Sequence, residues 1–220
     1  MDSKNRYFRN RVLKWFDSNK RSFPWRQTNN PYRTLLAEIL LQQTDSGKAR
    51  DSYLSLIRRF PRINLLARAT KAEILRYVAP IGLVYRATRL SRIARYLTKN
   101  FGGQIPSTKK ALMLLPGVGP YIAHSVLVSA FGNRLAVVDT NVLRVLDRFF
   151  GIRSMRPRPR TDPAIWEAAQ KLLPREASKC REWNYALLDF AALVCRWARP
   201  HCELCPCRRR CSYFALSKGK

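Results

Sequence analysis

The feature that most restricts the fold is a glycine turn between two apolar helical segments. The turn reads Leu-Pro-Gly-Val-Gly over residues 115–119; one apolar segment starts at Pro120 and a second follows Asp139. Glycine suits a tight turn, and proline suits the first position of a helix, where its missing N–H would be unpaired anyway. Such a turn offers free backbone N–H groups to an anion. The stretch therefore predicts a helix–turn–helix corner, either with a bound anion or with no ligand.

The charge of the chain indicates which anion to expect. The 220 residues include 42 Lys and Arg against 14 Asp and Glu, a net charge of +28 spread along the whole sequence. Nucleic acid is the leading partner and an acidic membrane surface the second, although no apolar run of about 20 residues could span a membrane. A hydrophobic share of 46% argues against a disordered basic tail. Residues 1–16 are charged and aromatic, unlike a signal peptide, so we expect an intracellular protein, in the cytoplasm or at the nucleoid.

Helical periodicity dominates the chain, and strand alternation is nearly absent. Apolar residues at helical spacing predict an all-α fold of many short helices, enough for one large or two small domains. The predicted helices cover residues 6–18, 31–44, 46–59, 71–79, 86–99, 162–173 and 183–195, besides those flanking the glycine turn. Ser107 or Thr108 is expected to cap the short helix before the turn. The Pro/Arg run after Gly151 predicts a mobile basic loop.

Four cysteines near the end of the chain indicate a metal site. Their spacing, C-x6-C-x2-C-x5-C, is formed by Cys195, Cys202, Cys205 and Cys211. Four thiolates suit tetrahedral zinc or a 4Fe–4S cluster, and the spacing alone does not separate the two. Cys180 and Cys207 fall outside the pattern and are interpreted as ordinary buried or loop cysteines. Arg208 and Arg209 lie between the last two ligands, where they could touch phosphate.

The glycine turn, the segment VDTNVLRVLDR and the cysteine spacing together resemble the helix–hairpin–helix DNA glycosylases of base excision repair. This superfamily includes the endonuclease III, MutY and Mig branches; the pattern is nearest to Mig and covers residues 20–214. The resemblance implies a six-helix barrel domain at 30–138, with the hairpin motif at about 108–131. A second domain, 1–29 with 139–220, would carry a 4Fe–4S cluster on the loop 195–211. Gly117, Val118 and Gly119 would hold the DNA backbone while a base flips into a pocket between the domains.

Asp139 occupies the position of the superfamily's catalytic aspartate. Breaking an N-glycosidic bond develops positive charge on the sugar, which a carboxylate can stabilise. An aspartate before a helix is also a favoured N-cap, and both roles can coexist.

Two more positions bear on the chemistry. Tyr121 stands where relatives with lyase activity have a lysine, and the sequence has no lysine between Lys110 and Lys171. We therefore expect a monofunctional enzyme that uses water, although a tyrosine early in a helix can also be core filler. Glu38 matches the pocket glutamate of MutY and Mig relatives, which could protonate the departing base; the alternative is a solvent-facing glutamate.

Substrate choice depends on three further residues. Gln42 and Gln43 repeat the MutY pair, one of which would fill the gap left by the flipped base, unless both are surface glutamines. Leu83 stands where MutY relatives have an aromatic wedge. The sequence ends nine residues after Cys211, so we expect no MutY-like C-terminal domain. We expect removal of thymine or uracil opposite guanine from double-stranded DNA, by a monomer without membrane contact. The alternatives are a MutY-like adenine glycosylase acting opposite guanine or 8-oxoguanine, and a non-catalytic DNA-binding protein.

Overall fold

The computed structural model describes residues 3–82 and 84–217, and within these ranges every regular element is helical. The α-helices are α1 (Ser3–Asn19), α2 (Pro31–Leu41), α3 (Ser46–Arg59), α4 (Ile63–Arg68), α5 (Lys71–Val78), α6 (Tyr85–Phe101), α7 (Lys109–Leu112), α8 (Pro120–Phe131), α9 (Thr140–Val145), α10 (Pro163–Lys171), α11 (Cys180–Leu193) and α12 (Ser212–Ser217). The all-α prediction is confirmed. Among the described residues no helix is long and apolar enough to cross a membrane.

Contacts divide the chain into two compact units, Ser22–Phe131 and Met1–Arg21 with Gly132–Lys220. In the first unit α2 and α8 are the central helices, because they are apolar on almost every side and lie against each other. α2 begins at Pro31, and the side chain of Asn30 caps it by accepting the N–H of Arg33 at 3.1 Å. α4 and α5 lie against α6, whose apolar face includes Leu90 and Leu97.

The second unit is built around an aromatic cluster. Phe8 of α1 contacts Phe149, Phe150, Trp183 and Phe190, with ring centroids 4.4–6.0 Å apart. α1 lies against α11, and Arg21, two residues after the end of α1, forms an ion pair with α11. Its Nε is 2.7 Å from Oδ1 of Asp189, which is fully buried. The backbone N–H of Arg21 also donates to Asp189 Oδ2 at 2.9 Å.

Most predicted helices agree with the structure to within a few residues, and the 46–59 segment agrees at both ends. Thr108, not Ser107, caps the short helix α7, accepting the N–H of Ala111. α4 was not predicted because six residues are too few to show a period. The helix predicted to begin at 183 begins at Cys180, since the 3-10 turn Ala177–Lys179 leads into it without a capping side chain. The domain boundaries implied by the resemblance stay a prediction.

Candidate functional site

Asp139 is held at the N-terminus of α9 by three hydrogen bonds. Its Oδ1 accepts the backbone N–H groups of Asn141 at 2.9 Å and Val142 at 2.8 Å, and its Oδ2 accepts Nδ2 of Asn141 at 2.6 Å. The side chain is partly buried. The predicted N-cap is therefore present, and it fixes the carboxylate in one orientation.

The residues behind Asp139 extend this network toward the cysteine loop. Asn141 Oδ1 accepts Nη2 of Arg144 at 3.0 Å, and Arg144 also donates to the carbonyls of Cys195, 2.7 Å, and Ala191, 2.8 Å. Burial lowers the pKa of Arg144, with the Cys195 thiol acting in the opposite direction. Sequence reasoning missed Asn141 and Arg144. Their spacing gave a signal, because Asn141 and Arg144 are three residues apart and so lie on one face of α9.

The glycine turn has the predicted geometry, but only one glycine is demanded by the protein itself. Gly117 has a φ of +75°, and a Cβ there would lie 2.5 Å from Nε of Arg89. Both facts restrict the position to glycine. A Cβ at Gly119 would meet no atom within 4 Å, so the fold leaves open space there. Val118 donates its N–H to the Leu115 carbonyl at 3.0 Å and closes the turn.

Glu38 does not face solvent. It lies on α2 with 9% of its surface exposed, and Ser125 Oγ of α8 donates to its Oε1 at 2.6 Å. Tyr121 lies one helical turn before Ser125 on α8 and is partly buried. A hydroxyl donor thus fixes the orientation of the Glu38 carboxyl. Ser125 gave no sequence signal, since it is one of two serines in this apolar helix and nothing in the sequence distinguishes it from Ser129.

The two glutamines have different environments. Gln42 is partly buried, its Nε2 donates to the Gly117 carbonyl at 3.3 Å, and its Oε1 accepts Nη1 of Arg89. Gln43 is exposed and has a φ of +54°, the left-handed region, which no other described non-glycine residue adopts. Leu83 lies outside the described residues.

The cysteine loop brings the four predicted ligands to one pocket. Cys195, Cys202, Cys205 and Cys211 all line it, together with apolar side chains and Arg148. Burial raises the pKa of the Cys195, Cys202 and Cys211 thiols. Among the described residues no three or more His, Cys, Asp or Glu side chains stand close enough to hold one metal ion. The four thiols therefore share a pocket without forming a closed set of ligands, and the 4Fe–4S cluster stays a prediction.

The remaining residues of this loop separate into buried and exposed ones. Cys180 and Cys207 are fully buried and do not line the pocket, as expected of structural cysteines. Arg208 forms an ion pair with Glu203, 2.9 Å from Nη1 to Oε2. Arg209 is exposed and forms no hydrogen bond or ion pair with any described side chain. Arg209 is therefore the more available of the two predicted phosphate contacts.

The helical fold, the glycine turn and the capped Asp139 define a helix–hairpin–helix protein of the class that acts on DNA bases. The family model of the HhH-GPD superfamily of base excision DNA repair proteins matches residues 36–172, and the chain belongs to this superfamily.

Three proteins illustrate the similarity. A thymine/uracil-DNA glycosylase of Pyrobaculum aerophilum is 39% identical over 201 residues, which cover 90% of this chain and 87% of the relative. A solved thermostable thymine-DNA glycosylase superposes with a TM-score of 0.91 at 36% identity, covering 97% of both chains. An adenine DNA glycosylase of Mus musculus is 32% identical over 97% of this chain and 43% of its own length.

Proposed function

We propose that this protein is a monofunctional DNA glycosylase that removes thymine or uracil opposite guanine. The observation that carries the proposal is the Asp139 carboxylate, which is oriented by backbone N–H groups inside the motif of a base excision repair family. Relatives named thymine/uracil-DNA glycosylase and thymine-DNA glycosylase match this chain over nearly their whole length. The enzyme acts as a monomer on double-stranded DNA that contains a mismatched or damaged base.

Asp139 is the catalytic carboxylate in this proposal. As the glycosidic bond breaks, positive charge develops on the sugar, and a carboxylate beside it lowers the barrier electrostatically or orients the attacking water. The N–H groups of Asn141 and Val142 hold the Asp139 carboxylate in one orientation before the substrate binds. A pre-oriented charge needs no reorganisation during the reaction.

Glu38 and Tyr121 act on the side of the departing base. Glu38 donates a proton or a hydrogen bond to the base, and Ser125 holds its carboxyl in place. Tyr121 replaces the lysine that would attack the sugar, so hydrolysis leaves an abasic site without a Schiff-base intermediate.

DNA is bound by the glycine turn and by residues that probe the duplex. The backbone N–H groups of Gly117 and Gly119 contact phosphate, because the space around Gly119 lets another backbone approach closely. Val118 lies between them and closes the turn with its own N–H. Arg209 adds a charge contact with phosphate, and Arg208 contributes less because Glu203 already pairs with it. Gln43 fills the gap left by the flipped base, since it is the exposed glutamine of the pair.

The four cysteines would hold a 4Fe–4S cluster. The arrangement that supports this is the lining of one pocket by Cys195, Cys202, Cys205 and Cys211. When bound, the cluster would supply four strong bonds to a segment too short to build a core of its own. A brown protein with broad visible absorption and about four irons per chain is expected. Stoichiometric zinc in a colourless protein would overturn this part of the proposal.

Adenine removal opposite guanine or 8-oxoguanine is the second candidate. The Gln42–Gln43 pair, which follows the MutY pattern, and the identity to a mouse adenine DNA glycosylase favour it. Duplexes that contain T:G, U:G, A:G and A:8-oxoguanine, treated with alkali after reaction, decide between the candidates. Alkali-labile sites in the T:G and U:G duplexes are expected. Cleavage of the A-containing duplexes alone would favour the second candidate, and intact DNA throughout, with retained binding, would indicate a non-catalytic DNA-binding protein.

A further inference from the structure

A buried arginine lies beneath the turn that follows α2. Arg86 of α6 is fully buried, yet it forms no ion pair with any carboxylate in the described part of the chain. Its Nη2 donates to the carbonyl of Gln42 and, at 2.5 Å, to the hydroxyl of Thr44; its Nη1 donates to the Ile81 carbonyl at 3.5 Å. Burial lowers the pKa of Arg86. Burying a guanidinium without a carboxylate partner is unfavourable. Because the hydrogen bonds of Arg86 go to the turns at Gln42–Thr44 and at Ile81, we infer that Arg86 holds these turns in position.

A second arginine, Arg89, lies one helical turn further along α6 and also binds the turn that follows α2. Arg89 Nη1 donates to Oε1 of Gln42, and its guanidinium lies 4.9 Å from the ring centroid of Tyr85. It also packs so closely on Gly117 that a Cβ there would collide with it. Gln42 in turn donates to the Gly117 carbonyl. Arg89 therefore fixes the distance between the turn after α2 and the glycine turn.

Between these two attachments lies the strained residue. Gln43 has a left-handed backbone, which is unfavourable for a residue other than glycine. Such a conformation persists where its neighbours over-determine it. The neighbours are held on both sides, since Arg86 binds the carbonyl before Gln43 and the hydroxyl after it. Gln43 itself is exposed.

We propose that Arg86 and Arg89 are positioning residues that hold the Gln42–Thr44 turn so that Gln43 points into the duplex beside the target base. They act through Gln42 and Thr44 and need not touch DNA. The inference rests on the proposed function, because it concerns the placement of Gln43 beside the base that the enzyme removes. A misplacement of a positioned group by about 1 Å can cost on the order of 100-fold in rate.

The test is a double-mutant cycle between Arg86→Lys and Gln43→Ala. Lysine keeps the charge, but it lacks the planar guanidinium group with which arginine donates to the Gln42 carbonyl and the Thr44 hydroxyl. Single-turnover release of thymine from a T:G duplex is expected to fall about 10- to 100-fold in each single variant. The double variant should be no slower than the slower single variant, because both changes remove the same placement. Multiplied losses would show that Arg86 does not act through Gln43 and would overturn the proposal.

Two further variants keep the test decisive. Arg92→Lys, on an exposed part of α6, is the matched control and should stay within twofold of the wild type. If Arg86→Lys does not fold, Arg89→Lys replaces it, since Arg89 is only partly buried. Affinity for a fully paired duplex should be unchanged in Arg86→Lys and Arg92→Lys, because the phosphate contacts of the glycine turn remain. A parallel loss of that affinity would mean a general DNA contact and would contradict a positioning role.

A second readout separates this proposal from the proposed function. The fluorescence of 2-aminopurine beside the mismatch rises when the target base leaves the stack, whether or not the base is released. If the wild type releases no base from any duplex, the proposed function fails, and the same cycle on the fluorescence signal decides the role of the arginines. If Arg86→Lys gives the same rise in fluorescence as the wild type, the positioning role of Arg86 is refuted.

Discussion

Asp139 combines a structural and a chemical role, and two substitutions should separate them. In Asp139→Asn the remaining oxygen can still accept the N–H groups of Asn141 and Val142, since asparagine caps helices as well as aspartate does. The new side-chain NH2 group would face Nδ2 of Asn141, and two donors cannot form a hydrogen bond. Asn141 can turn its amide to accept it, but it then loses the hydrogen bond from Arg144. The expected destabilisation is therefore one hydrogen bond, about 1 kcal/mol.

Asp139→Ala removes the cap as well. The loss of the cap adds about 1 kcal/mol, for a total near 2 kcal/mol. For a chain of this size each kcal/mol lowers the melting temperature by about 2–4 °C. Base release should fall by at least about 100-fold in both variants, because both remove the charge that stabilises the sugar cation. The stabilities should thus differ while the rates do not.

The assays are thermal unfolding and single-turnover base release on a T:G duplex. Asp162 is a matched control, because it caps α10 in the same way: Oδ1 accepts the N–H of Ala164 at 3.0 Å and Oδ2 accepts the Ser154 hydroxyl at 2.6 Å. Asp162→Ala should lower the melting temperature and leave base release within twofold. If Asp139→Asn keeps more than a tenth of the wild-type rate, Asp139 is only a cap. If the two Asp139 variants are equally stable, the reasoning on the cap is wrong.

Three further predictions use the same protein and assays. Borohydride should trap no wild-type enzyme on DNA, whereas Tyr121→Lys should give a covalent adduct; trapping of the wild type would refute hydrolysis by water. Arg209→Gln should make the negative slope of log affinity against log salt less steep by about 0.9 for duplex DNA, and an unchanged slope would mean that Arg209 does not contact phosphate. Gly117→Ala should lower the melting temperature by several degrees, because alanine meets both a φ of +75° and the Arg89 guanidinium. If Gly117→Ala lowers the melting temperature less than Gly119→Ala does, the requirement for glycine at position 117 is contradicted.

Much of the molecule could be predicted from local signals. Helix 46–59 follows from its apolar period and the capping Asp45, whose Oδ1 accepts the N–H of Gly47 at 2.8 Å. The glycine turn and the cap at Asp139 follow from residue types that few other local structures favour. The cysteine spacing predicted that the four thiols lie near one another, and all four line one pocket.

Other features had no local signal. Nothing near Arg86 in the sequence shows that it is fully buried, because burial depends on how α6 lies against the turn after α2. The same holds for Ser125, whose partner Glu38 lies 87 residues earlier in the chain. Sequence periodicity indicates on which side of a helix a residue lies, but it does not indicate which group of another segment contacts that residue.

The sequence by itself determined the helices, the turn, the capped aspartate and the set of cysteines, because each depends on residues within one or two helical turns. Only the tertiary structure decided which glutamine is held and which is exposed, how the Glu38 carboxyl is oriented, and which arginines are engaged. These are contacts between segments distant in the chain, and their energies depend on distances that a linear pattern does not contain.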